Sequence, residues 1–337
     1  MKSMIYGAGS LGTILGALLS ENGADVTLVS RNTDHINRMK EAGATIVGGM
    51  EKTIPVKACL PSEIEGKFDL IFLMTKQTGN AGTAQSLLPY LSEDGVFCCM
   101  QNGIPELNLR GVVPDEKILG AIIQWSATFR GPGVSELTSP GDSVNFILGS
   151  LISPNEERLE LTRKYLSLAG ETVIDPDLIA LRWSKLLVNA AVSAFSSSLG
   201  LSCGGILDSE RMRDLSLSLL RECIDVGHAH GVTFRPVNGY DIAGMLYAPS
   251  PEQVPDRETR MHEAFDPIAN AVSSILQDLR RGRKTEIHAI SGIICREGRA
   301  LGIPTPYNDR VVRVIERIES GELGCSEINL AEYADLP

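Results

Sequence analysis

The N-terminal residues Met1-Lys2-Ser3-Met4-Ile5-Tyr6-Gly7-Ala8-Gly9-Ser10-Leu11-Gly12 carry the strongest fold signal in this chain. Met1–Tyr6 predicts a β-strand and Ser10–Asn22 a helix, with G-x-G-x-x-G spacing at the turn between them. Such glycines allow a tight turn, let a pyrophosphate approach the backbone and let the helix pack against the strand. We therefore predict a dinucleotide site; a glycine turn without a ligand is the alternative. The predicted cofactor-binding residues of this turn are Gly7, Ala8, Gly9, Ser10, Leu11 and Gly12.

The end of the second predicted strand, Asp25–Ser30, indicates which dinucleotide binds. An NAD enzyme places Asp or Glu here, against the ribose 2′-hydroxyl. This chain has Ser30 and Arg31 instead, and no carboxylate follows before Asp34. A guanidinium can donate two charge-assisted hydrogen bonds to a 2′-phosphate. We therefore predict that Ser30 and Arg31 bind NADP(H); a solvated Arg31 is the alternative.

The apolar pattern divides the chain into two parts. The first half alternates short apolar runs with helical patterns, as a parallel sheet of βαβ units does. Everything beyond Asp175-Pro176 is predicted to be helical. The 337 residues also exceed the usual size of a single hydrophobic core. The predicted fold class is an α/β N-terminal Rossmann-type domain, residues 1–174, followed by an all-α C-terminal domain, residues 175–337.

Individual elements follow from the same periodicities. Further strands are predicted at Leu70–Met74, Val96–Met100, Lys117–Ile123 and Thr172–Ile174, and helices at Asp34–Ala42 and Asn80–Tyr90. The turn signals Gly131-Pro132-Gly133 and Pro140-Gly141 predict that Val134–Leu137 pairs with Val144–Gly149 and extends the sheet in a mixed sense. The later helices are predicted at Leu178–Leu199, Asp208–Ala229, Glu258–Asp278, Thr285–Leu301 and Asn308–Gly321, with a long connection from Pro236 to Pro255.

Composition restricts the partners and the compartment. A net charge of -11 argues against nucleic acid as the main partner, because like charges repel. Seven cysteines without a C-x-x-C pair predict reduced thiols, and the absence of a signal peptide pattern favours the cytoplasm. The charge-poor stretch Leu186–Leu207 is interpreted as a buried helix and not as a membrane span. No metal site is expected, because the histidines lack ligand spacing. A homodimer is a guess from the prevalence of two-fold assemblies.

Several different short motifs are distributed along nearly the whole chain beyond the glycine turn. They are Thr75-Lys76, Gln101-Asn102-Gly103, Gly131-Pro132-Gly133, Trp183-Ser184-Lys185 with Asn189, Ser274-x-x-x-Asp278, Gly282-Arg283-x-Thr285-Glu286-Ile287 and Thr305-Pro306. In this order and spacing, the chain resembles the ketopantoate reductase (2-dehydropantoate 2-reductase) family. The resemblance implies hydride transfer from NADPH to the C2 carbonyl of a 2-oxo acid, in the pathway to pantothenate and coenzyme A.

The resemblance also implies the catalytic residues. Lys185 matches the family's lysine, which polarises the carbonyl and protonates the developing alkoxide. Glu286 matches the acidic partner of that lysine or of the substrate; an ordinary helix-start carboxylate is the alternative. Lys185, Asn189 and Ser193 have the spacing i, i+4 and i+8, which places them on one face of an α-helix. That face lines a substrate cleft or forms a polar stripe at a domain contact.

Three further residues are matched to the site. Ser274 matches a residue that hydrogen-bonds the substrate, while Lys76 and Asn102 match contacts to the nicotinamide half of the cofactor or to the substrate. Ser274 and Glu286 are twelve residues apart, about 120° off one helical face at 100° per residue. A helix break near Gly282 is therefore expected if both face one site.

Departures from the family pattern leave the substrate open. Many members carry asparagine where this chain has Ser193 and Ser291, and an acid where it has His288. Loss of one amide that binds the hydroxyl of ketopantoate would weaken binding by about 1–3 kcal/mol if that hydroxyl is left unpaired. The substrate is thus 2-dehydropantoate or another branched 2-oxo acid. A non-catalytic NADP(H)-binding sensor is a third alternative, against which Lys185 and Glu286 argue, because a sensor needs no proton donor.

Overall fold

The computed structural model describes residues 1–152, 155–237 and 239–336 of the protein. The chain divides into two units, Met1–Leu178 and Ile179–Pro337. A parallel-dominated sheet with helices forms the first unit and helices form the second, which confirms the predicted fold class.

The first unit contains all strands and helices predicted for it, together with β3, β4, β5, β9 and α4, which the sequence patterns did not indicate. Its strands are β1 (Lys2–Tyr6), β2 (Asp25–Val29), β3 (Ala44–Gly48), β4 (Lys52–Ile54), β5 (Lys57–Cys59), β6 (Phe68–Leu73), β7 (Leu91–Cys99), β8 (Ile118–Ile123), β9 (Ala127–Gly131), β10 (Val134–Leu137), β11 (Asn145–Gly149) and β12 (Glu171–Ile174). Its helices are α1 (Ser10–Glu21), α2 (Thr33–Ala42), α3 (Asn80–Leu87) and α4 (Glu156–Leu166).

The main sheet has eight strands in the order β12-β11-β8-β7-β6-β1-β2-β5. Every pair is parallel except β8 with β11. Buried apolar side chains cover both faces of the sheet, as parallel sheets require. The chain runs from β1 to β2 on one side and later to β6 on the other, which opens a crevice at the carboxyl ends of these strands.

Helix α1 is buried on all sides, because it packs against β1 and β2 of the main sheet and also against a second, four-stranded sheet. That sheet has the order β4-β3-β10-β9. The eight consecutive residues Gly12–Leu19 are all buried. A helix that is apolar on every face has to be packed on both sides. The sequence Thr-Ile-Leu-Gly-Ala-Leu-Leu over residues 13–19 is apolar in this way.

The predicted pairing of Val134–Leu137 with Val144–Gly149 is wrong. Strand β10 pairs with β9 and β3 in the second sheet, while β11 joins the main sheet antiparallel to β8, in the mixed sense expected. The reason is that Gly131-Pro132-Gly133 is itself the hairpin turn, with φ of 159° at Gly131 and 73° at Gly133. The turn therefore joins β10 to the strand before it.

Buried His35 explains why this hairpin lies against the first helices. On α2, its Nδ1 accepts the Gly133 N–H at 2.8 Å, so its Nε2 donates to Thr13 Oγ1 of α1 at 3.0 Å. Burial lowers the pKa of His35, which favours this neutral, singly protonated ring. One side chain thus joins α1, α2 and the β9–β10 turn.

The second unit is formed by helices, with an isolated antiparallel β-bridge between Val237 and Tyr240 among the described residues. Its helices are α5 (Leu178–Val188), α6 (Phe195–Ser198), α7 (Glu210–Ala229), α8 (Ile242–Leu246), α9 (Arg257–Phe265), α10 (Ser274–Arg280), α11 (Ser291–Leu301) and α12 (Pro306–Glu319). A π-helical segment, Asn189–Ala194, joins α5 to α6, so the predicted uniform α-helix over Leu178–Leu199 is wrong in its middle. Leu178–Ser198 is apolar and long enough to cross a membrane, but 67% of its most apolar window is buried inside the protein.

Two other helix predictions need correction. Glu258–Asp278 is not one helix: α9 ends at Phe265, because Pro267 has no N–H for a helical hydrogen bond, and α10 begins after the capping residue Ser273. Thr285–Leu301 becomes helical only at Ser291, after a 3₁₀ turn. The expected break near Gly282 is present, with φ of 61° at that glycine. The connection from Pro236 to Pro255 includes α8.

Candidate active site

Residues that follow three neighbouring strands line one cleft of about 520 Å³ in the first unit. Gly7 and Gly9 follow β1, Ser30 and Arg31 follow β2, and Lys76 follows β6. Ligands of open α/β sheets bind at this edge. The structure thus brings five predicted cofactor-binding residues to one cleft.

The three glycines of the turn have different surroundings. A Cβ on Gly7 would lie 2.4 Å from Thr75 N, and φ at Gly7 is 112°, so this turn requires glycine. A Cβ on Gly12 would lie 2.6 Å from Gly7 O. Because glycine has no Cβ, α1 can approach the strand closely. A Cβ on Gly9 would have no heavy atom of the described residues within 4 Å. The backbone of Gly9 therefore faces open space that a phosphate can fill.

The other predicted residues of the turn place the start of α1 at the same edge. Ala8 is buried, and its N–H donates to Val29 O at 2.9 Å. Helix α1 begins at Ser10, followed by Leu11, and no side chain of the described residues caps this end. Amides in an uncapped first turn, together with the helix dipole, favour a bound anion.

The charged residues that line the cleft are both cations, Arg31 and Lys76. Among the described lining residues there is no Asp or Glu. Arg31 is exposed and lies directly before Asn32, whose Oδ1 accepts the His35 N–H at 3.1 Å and caps α2. The cap fixes the backbone on which the Arg31 side chain is mounted. This cleft suits a ligand with several negative charges.

Thr75 was not among the predicted site residues, although it belongs to the Thr75-Lys76 motif. It lines the cleft, and its hydroxyl is buried without a hydrogen-bond partner in the described part of the chain. Buried hydroxyls normally have a partner. A ligand in the cleft could supply it, so Thr75 fits the dinucleotide expected here.

Asn102 follows β7 and does not line this cleft. Its carbonyl oxygen accepts a hydrogen bond from Gln77 Nε2, and Gln77 Oε1 accepts one from Asn108 at 2.8 Å. Gln77 thereby joins the loop after β6 to the loop after β7. The backbone of Asn102 is thereby fixed near the carboxyl edge of the sheet.

Lys185 lies near the C-terminal end of α5 and is partly exposed, among buried neighbours such as Trp183 and Leu186. Burial of its ammonium, together with the nearby Arg182 guanidinium, lowers the pKa of Lys185 to about 8. A lysine with this pKa is protonated at neutral pH but gives up its proton more readily than an ordinary lysine. It is therefore suited to act as a general acid.

The two residues before Lys185 hold α5 in place. The ring of Trp183 packs against His230, with ring centroids 5.7 Å apart. Ser184 Oγ donates to Ala180 O at 2.6 Å and accepts the Arg235 N–H at 2.8 Å. In the Trp-Ser-Lys motif, Trp183 and Ser184 thus anchor the helix that carries Lys185, a role that the sequence does not show.

The π segment changes the basis of the predicted Lys185, Asn189 and Ser193 face. Hydrogen bonding from i to i+5 replaces the α-helical pattern from Asn189 onward, so the spacing i, i+4, i+8 does not hold beyond that residue. The carbonyl of Ser193 accepts a hydrogen bond from Ser197 Oγ at 2.5 Å. Asn189 remains one turn from Lys185, and the substrate role of Ser193 stays a prediction.

Glu286 is partly buried and lies at the start of the 3₁₀ turn Ile287–Ala289. The preceding residue is clamped by Glu319, whose Oε1 accepts from Thr285 N at 2.8 Å and from Thr285 Oγ1 at 2.7 Å. Lys284 adds an ion pair to Glu319 at 3.0 Å. Glu319, at the end of α12, therefore fixes the backbone that carries Glu286, a contact that sequence motifs did not indicate.

Comparisons with known proteins show the family of this chain. The family model for ketopantoate reductase PanE/ApbA matches residues 3–147, and the model for its C-terminal domain matches residues 177–319. The chain belongs to the ketopantoate reductase family. It is 27% identical over 323 residues to the 2-dehydropantoate 2-reductase of Streptococcus pyogenes serotype M3, covering 95% of this chain and 98% of that protein. The Lactococcus lactis enzyme of the same name is 29% identical over 327 residues, with the same coverage.

Two solved structures share the fold. A ketopantoate reductase from Ralstonia eutropha JMP134 superposes with a TM-score of 0.80 at 23% identity and covers 96% of this chain and 99% of its own. D-mandelate dehydrogenase, solved with NADH and anilino(oxo)acetate, has a TM-score of 0.79 at 25% identity and covers 95% and 99%. The family resemblance predicted from the motifs is confirmed.

Ser291 at the start of α11 was expected to depart from the family pattern. Ser291 is fully buried, and its hydroxyl has no hydrogen-bond partner among the described residues. An asparagine, expected at this position from the family pattern, carries more hydrogen-bonding atoms than serine. The substitution therefore changes the polar groups that this end of α11 can offer.

Proposed function

We propose that this ketopantoate reductase family member reduces a 2-oxo acid to a 2-hydroxy acid with NADPH, and that 2-dehydropantoate is its substrate. The observation that carries the proposal is Lys185, an ammonium with a pKa of about 8 at the family's lysine position. NADPH, when bound, supplies the hydride. Lys185 polarises the C2 carbonyl through its Nζ–H and gives that proton to the oxygen.

The residues of the cleft would hold NADPH. The open space at Gly9 and the uncapped start of α1 suit the pyrophosphate, and Arg31 suits the 2′-phosphate. Lys76, Asn102 and Ser30 are proposed as further contacts. In the second unit, Glu286 is proposed to keep Lys185 charged, while Asn189, Ser193 and Ser274 bind the substrate. Residues 1–174 would thus form the NADP-binding domain and residues 175–337 the substrate domain.

Two glycine variants test whether the dinucleotide lies against this turn. Gly9→Ala is expected to keep the melting temperature within about 2–4 °C of the wild type and to weaken NADPH binding at least about tenfold, because its methyl group enters open cleft space. Gly7→Ala should instead lower stability, by about 1–3 kcal/mol from backbone strain alone. Thermal melting and NADPH fluorescence titration measure both. Wild-type NADPH affinity in Gly9→Ala would show that the cofactor does not approach Gly9.

A second candidate function is reduction of a different 2-oxo acid. Ser193 and Ser291 stand where asparagines are expected, and D-mandelate dehydrogenase, which acts on an aromatic 2-hydroxy acid, has a similar structure over the full chain. Serine is smaller than asparagine, so a bulkier group on C3 of the substrate could be accommodated. The cytoplasm as compartment and a homodimer are proposed only on the charge, cysteine and symmetry arguments above.

Loss of NADPH absorbance with a panel of oxo acids tests both candidates. The panel contains 2-dehydropantoate, its analogue without the hydroxyl group, and phenylglyoxylate, with Lys185→Ala as the control for background oxidation. Preference for 2-dehydropantoate over its deoxy analogue supports the first candidate, and preference for phenylglyoxylate supports the second. Tight NADPH binding without turnover of any member would refute both and favour the sensor.

A further inference from the structure

Two serine hydroxyls join the π segment of the second unit to the start of α10. Ser197 Oγ lies 2.5 Å from Ser193 O and 2.6 Å from Ser273 Oγ. Ser273 caps α10, because its Oγ accepts the Leu276 N–H at 3.0 Å. Four groups from two separate segments therefore form one continuous chain of hydrogen bonds.

The direction of this chain follows from its two ends. The carbonyl of Ser193 can only accept and the amide of Leu276 can only donate. The single proton of Ser197 is therefore directed to Ser193 O, and Ser273 must direct its proton to Ser197 Oγ. Each hydroxyl then donates one hydrogen bond and accepts one. Hydrogen bonds that point the same way polarise one another and gain strength.

The environment makes the chain costly to break. Ser197 is fully buried, so its partners cannot exchange the hydrogen bond for bulk water. Ser196 Oγ also reaches Ser193 O, but at 3.4 Å, which is a weak contact. Helix α10 has seven residues and little stability of its own, so tertiary contacts decide where it begins.

We propose that Ser197 and Ser273 are positioning residues that couple the π segment to the start of α10 and thereby set the fit of the 2-oxo acid. The π segment carries Asn189 and Ser193, and α10 begins with Ser274, all three proposed substrate contacts. A change at either hydroxyl alters the spacing of these contacts and leaves Lys185 in place on α5. The inference rests on the proposed reductase function, since the coupling matters through substrate binding.

Variants at Ser273 separate helix capping from coupling. Ser273→Asp keeps an acceptor for the Leu276 amide and suits the helix N-terminus, but a carboxylate cannot donate to Ser197 and attracts its proton away from Ser193 O. Ser273→Thr keeps both functions of the hydroxyl. Ser197→Ala removes the central link. The matched control is Ser218→Ala, a buried serine whose hydroxyl bonds Asp214 O in its own helix and no other group of the described residues.

The readouts are hydrogen exchange of peptides 189–198 and 273–280 and steady-state kinetics with the preferred oxo acid. Ser197→Ala and Ser273→Asp should accelerate exchange in both peptides and raise KM about tenfold, the effect of losing one buried hydrogen bond, with a smaller change in kcat. Ser273→Thr and Ser218→Ala should behave as the wild type. If Ser197→Ala fails to fold, Ser273→Asp still decides.

Two outcomes overturn the proposal. The first is a variant in which hydrogen exchange accelerates in one of the two peptides and stays at the wild-type rate in the other. The second is an equal change in KM and kcat for Ser197→Ala and Ser218→Ala. A wild-type protein that reduces no oxo acid would refute the proposed function instead. In that case, the exchange data still show whether the two segments are coupled, so the two failures are distinguishable.

Discussion

Lys185→Ala is expected to lower turnover of the 2-oxo acid by about a thousandfold, within the range that a general acid and a preorganised donor supply. Without the ammonium, α5 offers no proton to the oxygen that gains charge at C2. NADPH affinity should stay close to that of the wild type, because the proposed cofactor cleft belongs to the first unit. Single-turnover kinetics and NADPH fluorescence titration separate the two effects.

The pKa of Lys185 also predicts a pH dependence. Reduction requires the protonated ammonium, so its rate should be constant at neutral pH and fall about tenfold per pH unit above the pKa of about 8. Oxidation of the hydroxy acid requires the neutral amine and should rise over the same range. Lys185→Arg should lose the alkaline fall, because a guanidinium stays protonated.

Lys164→Ala is the matched control, since Lys164 is an exposed lysine paired only with Glu160 among the described ion pairs. It should keep both the rate and the pH profile. Unchanged turnover in Lys185→Ala would remove this residue from the mechanism.

Arg31→Ala is expected to raise the dissociation constant for NADPH about 10- to 100-fold, the effect of losing about 1.5–3 kcal/mol from hydrogen bonds to a charged group. NADH lacks the 2′-phosphate, so its affinity should change little. Arg31→Asp should go further and favour NADH, because it places a carboxylate where the ribose 2′-hydroxyl binds. Fluorescence titrations with both dinucleotides measure the ratio.

Arg38→Ala provides the control for loss of one positive charge. Arg38 is exposed on α2, the helix that begins shortly after Arg31, but it does not line the cleft. Equal weakening of NADPH and NADH in Arg31→Ala would contradict a contact to the 2′-phosphate. D-mandelate dehydrogenase, which has a similar structure, was solved with NADH.

Local sequence was sufficient for the first βαβ unit. The glycine turn predicted β1 and α1 to within one residue at each end, because the turn geometry depends on adjacent residues alone. The break at Gly282 was also local, since glycine there adopts a positive φ. Pro267 was a local signal too, and the predicted helix over Glu258–Asp278 overlooked it.

Strand partners could not be predicted in this way. β10 and β11 were both present in the sequence pattern, but pairing depends on segments far apart in the chain. β10 lies beside β3, about ninety residues earlier by their numbering, and the buried contact from His35 to Gly133 holds the turn next to it. No periodicity within residues 127–149 contains that information.

The sequence by itself determined the dinucleotide turn, the cation in place of an acid at Arg31, and the family, because each depends on residue identity at short spacing. Only the tertiary structure decided the π segment, whose Ala191 carbonyl accepts a hydrogen bond from the Ser216 hydroxyl of α7. It also decided the pKa of Lys185, because desolvation depends on which side chains surround the ammonium after folding. The sequence thus supplies the lysine, and packing around its ammonium sets the pKa.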